Sequence, residues 1–246
     1  GRLSMRLIDP YFLCLLADKN DDSLGLVLLL LIGGPLLCAV FYFARRREKK
    51  RTEQFRRIAT EVGLPFFPAG DDFLFERLQC FHLFSQGRRK KITNMLHGEA
   101  NGVELAILDY RYTIAGGEQS RTYKQSVIYF GSSNLGLPQF AARPKRMFHK
   151  IGGAFGYQDI DFEDHPDFSR AYLLRGDDES RIREFFNSEL LTFFETQQKI
   201  SIEAGGDQLI FYRGGKRIKP DEVQRFMHEG FQIFGRFRDR AAASSK

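Results

Sequence analysis

The residues best suited to chemistry lie in one short acidic segment. Four possible metal ligands alternate along it, namely Asp159, Asp161, Glu163 and His165. In an extended segment every second side chain points to the same side, so all four would face one ligand. Carboxylate oxygens bind Mg²⁺, Mn²⁺ or Ca²⁺, and a crowded carboxylate can also have a raised pKa that suits acid–base catalysis. The segment therefore predicts a metal site, as part of a metal-dependent hydrolase that uses residues 159–167.

A structural role for the same segment is the competing interpretation. Its acidic residues precede Pro166 and lack the spacing of a calcium-binding loop. They could instead form a solvated loop or pair with nearby cations, namely Arg143, Lys145 and Arg146. Because one short segment rarely supplies a complete metal site, both interpretations stay open.

Other familiar catalytic patterns do not occur in the sequence. Cys80 and His82 are two residues apart, so on a helix they would point to different sides. The glycines of 152–156 lack the spacing and the lysine of a phosphate-binding loop, which favours a tight turn. No nucleophile elbow and no dinucleotide fingerprint is present. We therefore expect no cofactor and favour a binding protein over an enzyme.

An apolar run without a charge, residues 23–44, indicates where the protein resides. About 20 apolar residues cross the hydrocarbon core of a bilayer, so this run predicts a single transmembrane helix. Six cations follow it at once: Arg45, Arg46, Arg47, Lys49, Lys50 and Arg51. Cations beside a span stay on the cytoplasmic side. The prediction is an inner (plasma) membrane protein with a cytoplasmic domain. Residues 1–22 would lie outside, or represent a tag remnant or an over-extended start.

The net charge of +6 comes from these six cations and the residues directly after them. Residues 45–57 carry a net charge of +6, residues 1–22 carry −1 and residues 58–246 carry +1. A protein that binds nucleic acid should show a basic stripe on its folded domain instead, so nucleic acid is not an expected partner. The six cations are predicted to contact anionic headgroups of the lipid bilayer, at about 1 kcal/mol each. They could equally serve only as a topology signal.

Local patterns predict the first elements of the domain. An amphipathic helix is expected over residues 45–63, because apolar residues at helical spacing end at Gly63. A short helix is expected over 71–84. The dipeptide Asn101-Gly102 favours a hairpin turn in which both residues adopt φ > 0. Folding at this turn pairs Leu96 with Ile107 and places apolar residues on one face.

The remaining pattern predicts an α+β domain over residues 64–240. One long helix is expected over 178–197, a hairpin over 200–212 and a last helix from Pro220, while residues 241–246 are expected to be disordered. Strands and helices alternate irregularly and no βαβ pattern recurs. That arrangement favours a mainly antiparallel sheet with helices on one face.

Several segments resemble a family of uncharacterised bacterial single-pass membrane proteins. They are DYRYTIAGG, KQSVIYF, LPQFAARPKRMFHKIGG and GYQDIDFEDHPDFSRAYLLRGDDESRIREFF, with D-F-S-x-x-Y-L-L-R-G-D as the most specific part. The resemblance implies a bacterial inner-membrane protein and supplies no activity. The sequence thus predicts a membrane-anchored cytoplasmic domain that binds a protein partner or the membrane surface. Gly33-Gly34 in the run would also allow a homodimer through the membrane helix.

Overall fold

An eight-stranded antiparallel sheet organises the domain. The computed structural model describes residues 29–116, 119–133, 135–146, 159–197 and 199–244. The strands are β1 (Phe66–Phe67), β2 (Arg88–Ala100), β3 (Val103–Gly116), β4 (Gln119–Gly131), β5 (Leu137–Pro144), β6 (Tyr172–Gly176), β7 (Ser201–Gly206) and β8 (Gln208–Tyr212). The α-helices are α1 (Gly34–Val62), α2 (Asp72–Leu78), α3 (His82–Ser85), α4 (Pro166–Ala171), α5 (Glu179–Phe185), α6 (Ser188–Thr196) and α7 (Val223–Ser244).

The strand order is β1-β2-β3-β4-β8-β7-β5-β6, and the predicted α+β class with an antiparallel sheet is confirmed. The predicted hairpin is also confirmed: Asn101 and Gly102 have φ of 54° and 71°, and Leu96 pairs with Ile107. The second of its strands, β3, also pairs with β4 along its length, from Glu104 opposite Gly131 to Gly116 opposite Gln119. The β2–β3–β4 meander therefore forms one half of the sheet from local pairings.

Both faces of the sheet are covered, whereas the sequence predicted helices on one face only. Leu105 and Ile107 of β3 pack in the larger core with α1, α4, α5, α6 and α7. Ala106 and Leu108, which alternate with them, pack in a second core beneath α2 and α3. A strand that is apolar on both sides must be covered on both sides, so the one-face prediction was wrong.

Several helix boundaries differ from the predicted ones. The expected helix over 178–197 is two helices, because Asn187 leaves helical geometry and its side chain accepts a hydrogen bond from the Leu190 N–H at 3.0 Å, capping α6. The expected helix over 71–84 is likewise divided into α2 and α3. The helix α7 continues to Ser244, with Ala241 buried and residues 242–244 exposed, while residues 245–246 of the predicted disordered tail lie outside the described residues.

The chain divides into two units after Arg51. In the first unit, a π-helical turn over Leu29–Gly33 leads into α1. No helix within the described residues is both long and apolar enough to cross a membrane. Residues 1–28 lie outside the described residues, so the first part of the predicted span and the predicted outside segment 1–22 are not described. The transmembrane helix over 23–44 stays a prediction.

Candidate anion-binding surface

The predicted basic segment lies on α1, which covers the expected helix over 45–63 to within one residue. Five of its six cations are exposed, namely Arg45, Arg46, Arg47, Lys49 and Lys50, and Arg51 is partly exposed. The five exposed side chains are accessible to external anions. This segment provides one basic surface.

A second basic surface lies on the sheet, where three cations stand side by side on adjacent strands. Lys91 of β2 is directly opposite Arg111 of β3, and Arg111 is directly opposite Lys124 of β4. All three side chains are exposed. Neighbouring strands lie about 5 Å apart, so the row spans about 10 Å. We call Lys91, Arg111 and Lys124 the cation row.

Two neighbours in the cation row, Lys91 and Arg111, form an unfavourable pair in isolation. Like charges directly opposite each other in a sheet repel, by roughly 1 kcal/mol in water at about 5 Å. In the part of the chain that the structure describes, neither Lys91 nor Arg111 forms an ion pair. Negative charges that approach these cations relieve the repulsion and lower the free energy.

A loop beside β4 brings further cations to the same end of the sheet. The Ser126 N–H donates to the Lys216 carbonyl at 3.1 Å, and the Gly215 N–H donates to Oε1 of Gln125 at 2.8 Å. Lys216 is exposed, and the Arg217 guanidinium lies 4.0 Å from Oδ2 of Asp109. The loop thus widens the basic surface beyond the row itself.

A buried chain of hydrogen bonds fixes the strands next to the cation row. The Thr52 hydroxyl donates to Oδ1 of Asn94 at 2.7 Å, and Nδ2 of Asn94 donates to Oδ2 of Asp109 at 3.0 Å. The Ser126 hydroxyl donates to Oδ1 of Asp109 at 2.7 Å, and it accepts from the Ile218 N–H at 3.1 Å. Asp109 is two residues from Arg111 on the same strand, so its carboxylate points to the same face. The network thus links α1 to β2, β3 and β4 and to the loop that follows β8.

This network also fixes the residue at which the second unit begins. Thr52 is the residue after Arg51, the last cation of the basic segment. Thr52 contacts Asn94, which lies three residues after Lys91 of the cation row on β2. The chain therefore enters the domain beside the row, directly after its most basic stretch.

Of the four predicted metal ligands, only Asp159 and Asp161 are brought together, and both pair with Lys145. Oδ1 of Asp159 accepts a hydrogen bond from the Leu174 N–H at 3.0 Å, and its Oδ2 lies 2.7 Å from Nζ of Lys145. Asp161, with a side chain 60% exposed, lies 3.6 Å from the same lysine. The structural interpretation of these carboxylates, pairing with Lys145, thus has direct support.

The other half of that segment points elsewhere. Nδ1 of His165 lies 3.1 Å from Oε1 of Glu195 on α6, and Glu163 is exposed in a turn. Among the described residues, no three His, Cys, Asp or Glu side chains lie close enough together to hold a metal ion. The metal-dependent hydrolase gains no support from this geometry and stays a prediction.

A buried charged cluster on the second face is built for structure rather than for nucleophilic chemistry. Glu203 of β7 pairs with Arg143 and accepts a hydrogen bond from the Tyr212 hydroxyl at 2.7 Å. Burial and the nearby Glu203 charge raise the pKa of the Cys80 thiol. Burial and then Arg143 lower the pKa of His82 to about 4. Cys80 therefore stays protonated and His82 neutral at physiological pH, which does not produce an activated thiolate.

The comparisons with known proteins concern the fold only. No protein-family model matches this sequence, and a search of curated proteins gives no match. Among solved structures, the crystal structure of the mycobacterial trehalose monomycolate transport factor A, TtfA, is similar, with a TM-score of 0.52 and 13% sequence identity. The similarity covers 79% of this chain and 94% of TtfA. At this identity it shows that the two chains share a fold.

Proposed function

We propose that this protein is a single-pass membrane protein whose α+β domain is held at the cytoplasmic face of the bacterial inner membrane and acts there by binding. The observation that carries the proposal is the composition of the first helical stretch. Large apolar side chains are exposed all round it, including Leu31 (68%), Phe41 (62%) and Phe43 (56%). A helix that is apolar on every side belongs in an apolar environment, which for an isolated helix is a bilayer.

The cations that follow the apolar stretch support both the anchoring and the orientation. Arg45 is the first residue after the uncharged run, and the basic segment continues to Arg51. Positive charge so close to a span stays on the cytoplasmic side, because moving it across is unfavourable. The same charges attract anionic headgroups, and this attraction falls off within a Debye length of about 8 Å at physiological salt.

Binding is favoured over catalysis as the action of the domain. The pKa of His82 is lowered, and those of Tyr110 and Tyr112 are raised, mainly by burial within the folded core. By contrast, the exposed charged groups that lie side by side are cations, in the basic segment and in the cation row. A domain held at the membrane gains a high local concentration of lipid surface and of other membrane proteins without needing a large recognition site.

Membrane extraction and a topology reporter test the proposal. The full chain, expressed in bacteria with a reporter that is active only in the cytoplasm at its C-terminus, should remain in the membrane after alkaline carbonate treatment and give an active reporter. A variant with Leu36→Arg and Val40→Arg should be released, because charges within the span are costly. Release of the unaltered chain, or an inactive exported reporter, would overturn the proposal.

A control separates the basic segment from the apolar run. Replacing Arg45, Arg46, Arg47, Lys49, Lys50 and Arg51 by Gln keeps the run intact and removes the orientation signal. This variant should stay in the membrane and lose the uniform cytoplasmic orientation of its reporter. If the reporter stays as active as in the unaltered chain, the basic segment does not determine the topology.

A further inference from the structure

We propose that the cation row binds the anionic phospholipid headgroups of the membrane that anchors the chain, so that the domain docks on the bilayer through this end of its sheet. The inference rests on the proposed function, because the anchor keeps the row within reach of lipid. Its own evidence is independent of the apolar run. It comes from Lys91, Arg111 and Lys124 in direct cross-strand register.

The charge arrangement fits a surface of many anions. Three exposed cations within about 10 Å can meet several phosphates at once, and an anionic bilayer presents phosphates in a plane. Each cation near such a surface strengthens association by about fivefold. Lys216, exposed on the neighbouring loop, adds to the same surface.

The position of the row in the chain favours membrane lipid over other anions as its ligand. Arg51 is bonded to Thr52, and Thr52 contacts Asn94 beside the row. The row therefore lies near the first residue of the second unit, and an anchor in the preceding residues supplies anionic lipid to this unit at high local concentration. A nucleic acid would require a longer basic stripe, whereas residues 58–246 carry a net charge of only +1.

Lysine reactivity in vesicles tests the docking with the full chain. The protein is reconstituted into vesicles of phosphatidylcholine alone, or of phosphatidylcholine with 30% phosphatidylglycerol, and treated with a water-soluble acetylating reagent. Mass spectrometry then gives the acetylation rate of each lysine. We expect Lys91 and Lys124 to react about fivefold more slowly in the anionic vesicles, and to recover in 1 M salt because the Debye length falls to about 3 Å. Lys90, which faces the opposite side of β2, should react at the same rate in both.

Matched variants connect the protection to the row. Arg111→Gln should reduce the protection of Lys91 and Lys124 to less than twofold, because the middle cation is lost. Arg170→Gln removes the same charge from an exposed pair on α4, with a side chain 78% exposed, and should leave the protection unchanged. Lys91→Gln, measured at Lys124, provides a second test if Arg111→Gln alters the fold.

The outcomes distinguish the two proposals. If the chain does not remain with vesicles of either composition, the membrane anchor itself is wrong. If it remains with both but Lys91 and Lys124 react equally in both, only the docking is wrong. Protection of the two lysines by an RNA fragment at physiological salt, without protection by anionic vesicles, would also overturn the docking.

Discussion

Glu203 and Leu83 are 120 residues apart in the chain, and the carboxylate of Glu203 accepts a hydrogen bond from the Leu83 N–H at 3.1 Å. Leu83 lies in the first turn of α3, where the backbone N–H groups have no partner within the helix. Glu203 thus caps a helix on the second face from a strand in the other half of the sheet. The same carboxylate pairs with Arg143 and accepts from the Tyr212 hydroxyl, so one side chain fastens three elements.

Removing this carboxylate should destabilise the domain strongly. Glu203→Ala leaves the buried Arg143 guanidinium without its ion pair and α3 without its cap, and we expect a loss of about 3–5 kcal/mol in the free energy of unfolding. Tyr212→Phe removes a single hydrogen bond and should lose only about 1 kcal/mol. Urea unfolding, with the slope compared between variants, measures both. A loss below 1 kcal/mol for Glu203→Ala would contradict this role.

His82 should make the domain less stable in mild acid. Its pKa is lowered by burial and then by Arg143 to about 4, whereas an unfolded histidine titrates near 6.5. Between these values the unfolded chain binds a proton that the folded chain does not, so stability falls as pH decreases from about 6.5 towards 4. We expect a loss on the order of 1–2 kcal/mol at pH 5.

Thermal unfolding between pH 7.5 and 5 checks this dependence. His82→Gln should remove most of the loss, because no proton is then taken up at this position on unfolding. His228→Gln changes an exposed histidine of α7 and serves as the matched control. If His82→Gln and the unaltered chain lose stability in parallel, His82 is not responsible.

The hairpin around Asn101 was predictable from the sequence, but the cation row on it was not. Extending the predicted pairing of Leu96 with Ile107 without interruption would put Lys91 opposite Tyr112. A β-bulge between Thr93 and Leu96 shifts the register by one residue, so Lys91 faces Arg111 instead. The bulge depends on Asn94, whose positive φ is held by its hydrogen bond to Asp109. Side-chain bonds across strands are not visible in a local pattern.

The packing of α2 and α3 on the second face of the sheet was not predicted from the sequence, for a related reason. The predicted single helix over 71–84 gave no sign that α3 would be held separately by Glu203, since that contact joins distant parts of the chain. The sequence of β3 did indicate a second core, because Ala106 and Leu108 are apolar as well as Leu105 and Ile107. A strand without a polar side indicates burial on both faces.

Two glycines of α7 should respond to alanine in opposite directions. A Cβ at Gly230 would lie 2.6 Å from Cδ1 of Ile128 and 3.3 Å from Cε2 of Phe130, so this residue lets the helix approach the sheet closely. A Cβ at Gly235 would meet nothing within 4 Å. We expect Gly235→Ala to gain up to about 1 kcal/mol from helix propensity, and Gly230→Ala to lose about 1–2 kcal/mol by overpacking. Urea unfolding of both variants checks this, and a gain at Gly230 would contradict the close packing of α7.

The acidic segment offers a test between structure and metal binding. Asp159 accepts a hydrogen bond from the Leu174 N–H and forms an ion pair with Lys145. Asp159→Ala should therefore lower the free energy of unfolding by about 1–2 kcal/mol. Asp161 is mostly exposed, and Asp161→Ala should change it by less than about 0.5 kcal/mol. Because the ammonium of Lys145 already lies against both carboxylates and repels a second cation, we expect Mn²⁺, Mg²⁺ or Ca²⁺ to leave the unfolding temperature of the full chain unchanged. A clear rise with one of these ions, abolished by Asp161→Ala, would contradict this and favour the metal-dependent hydrolase.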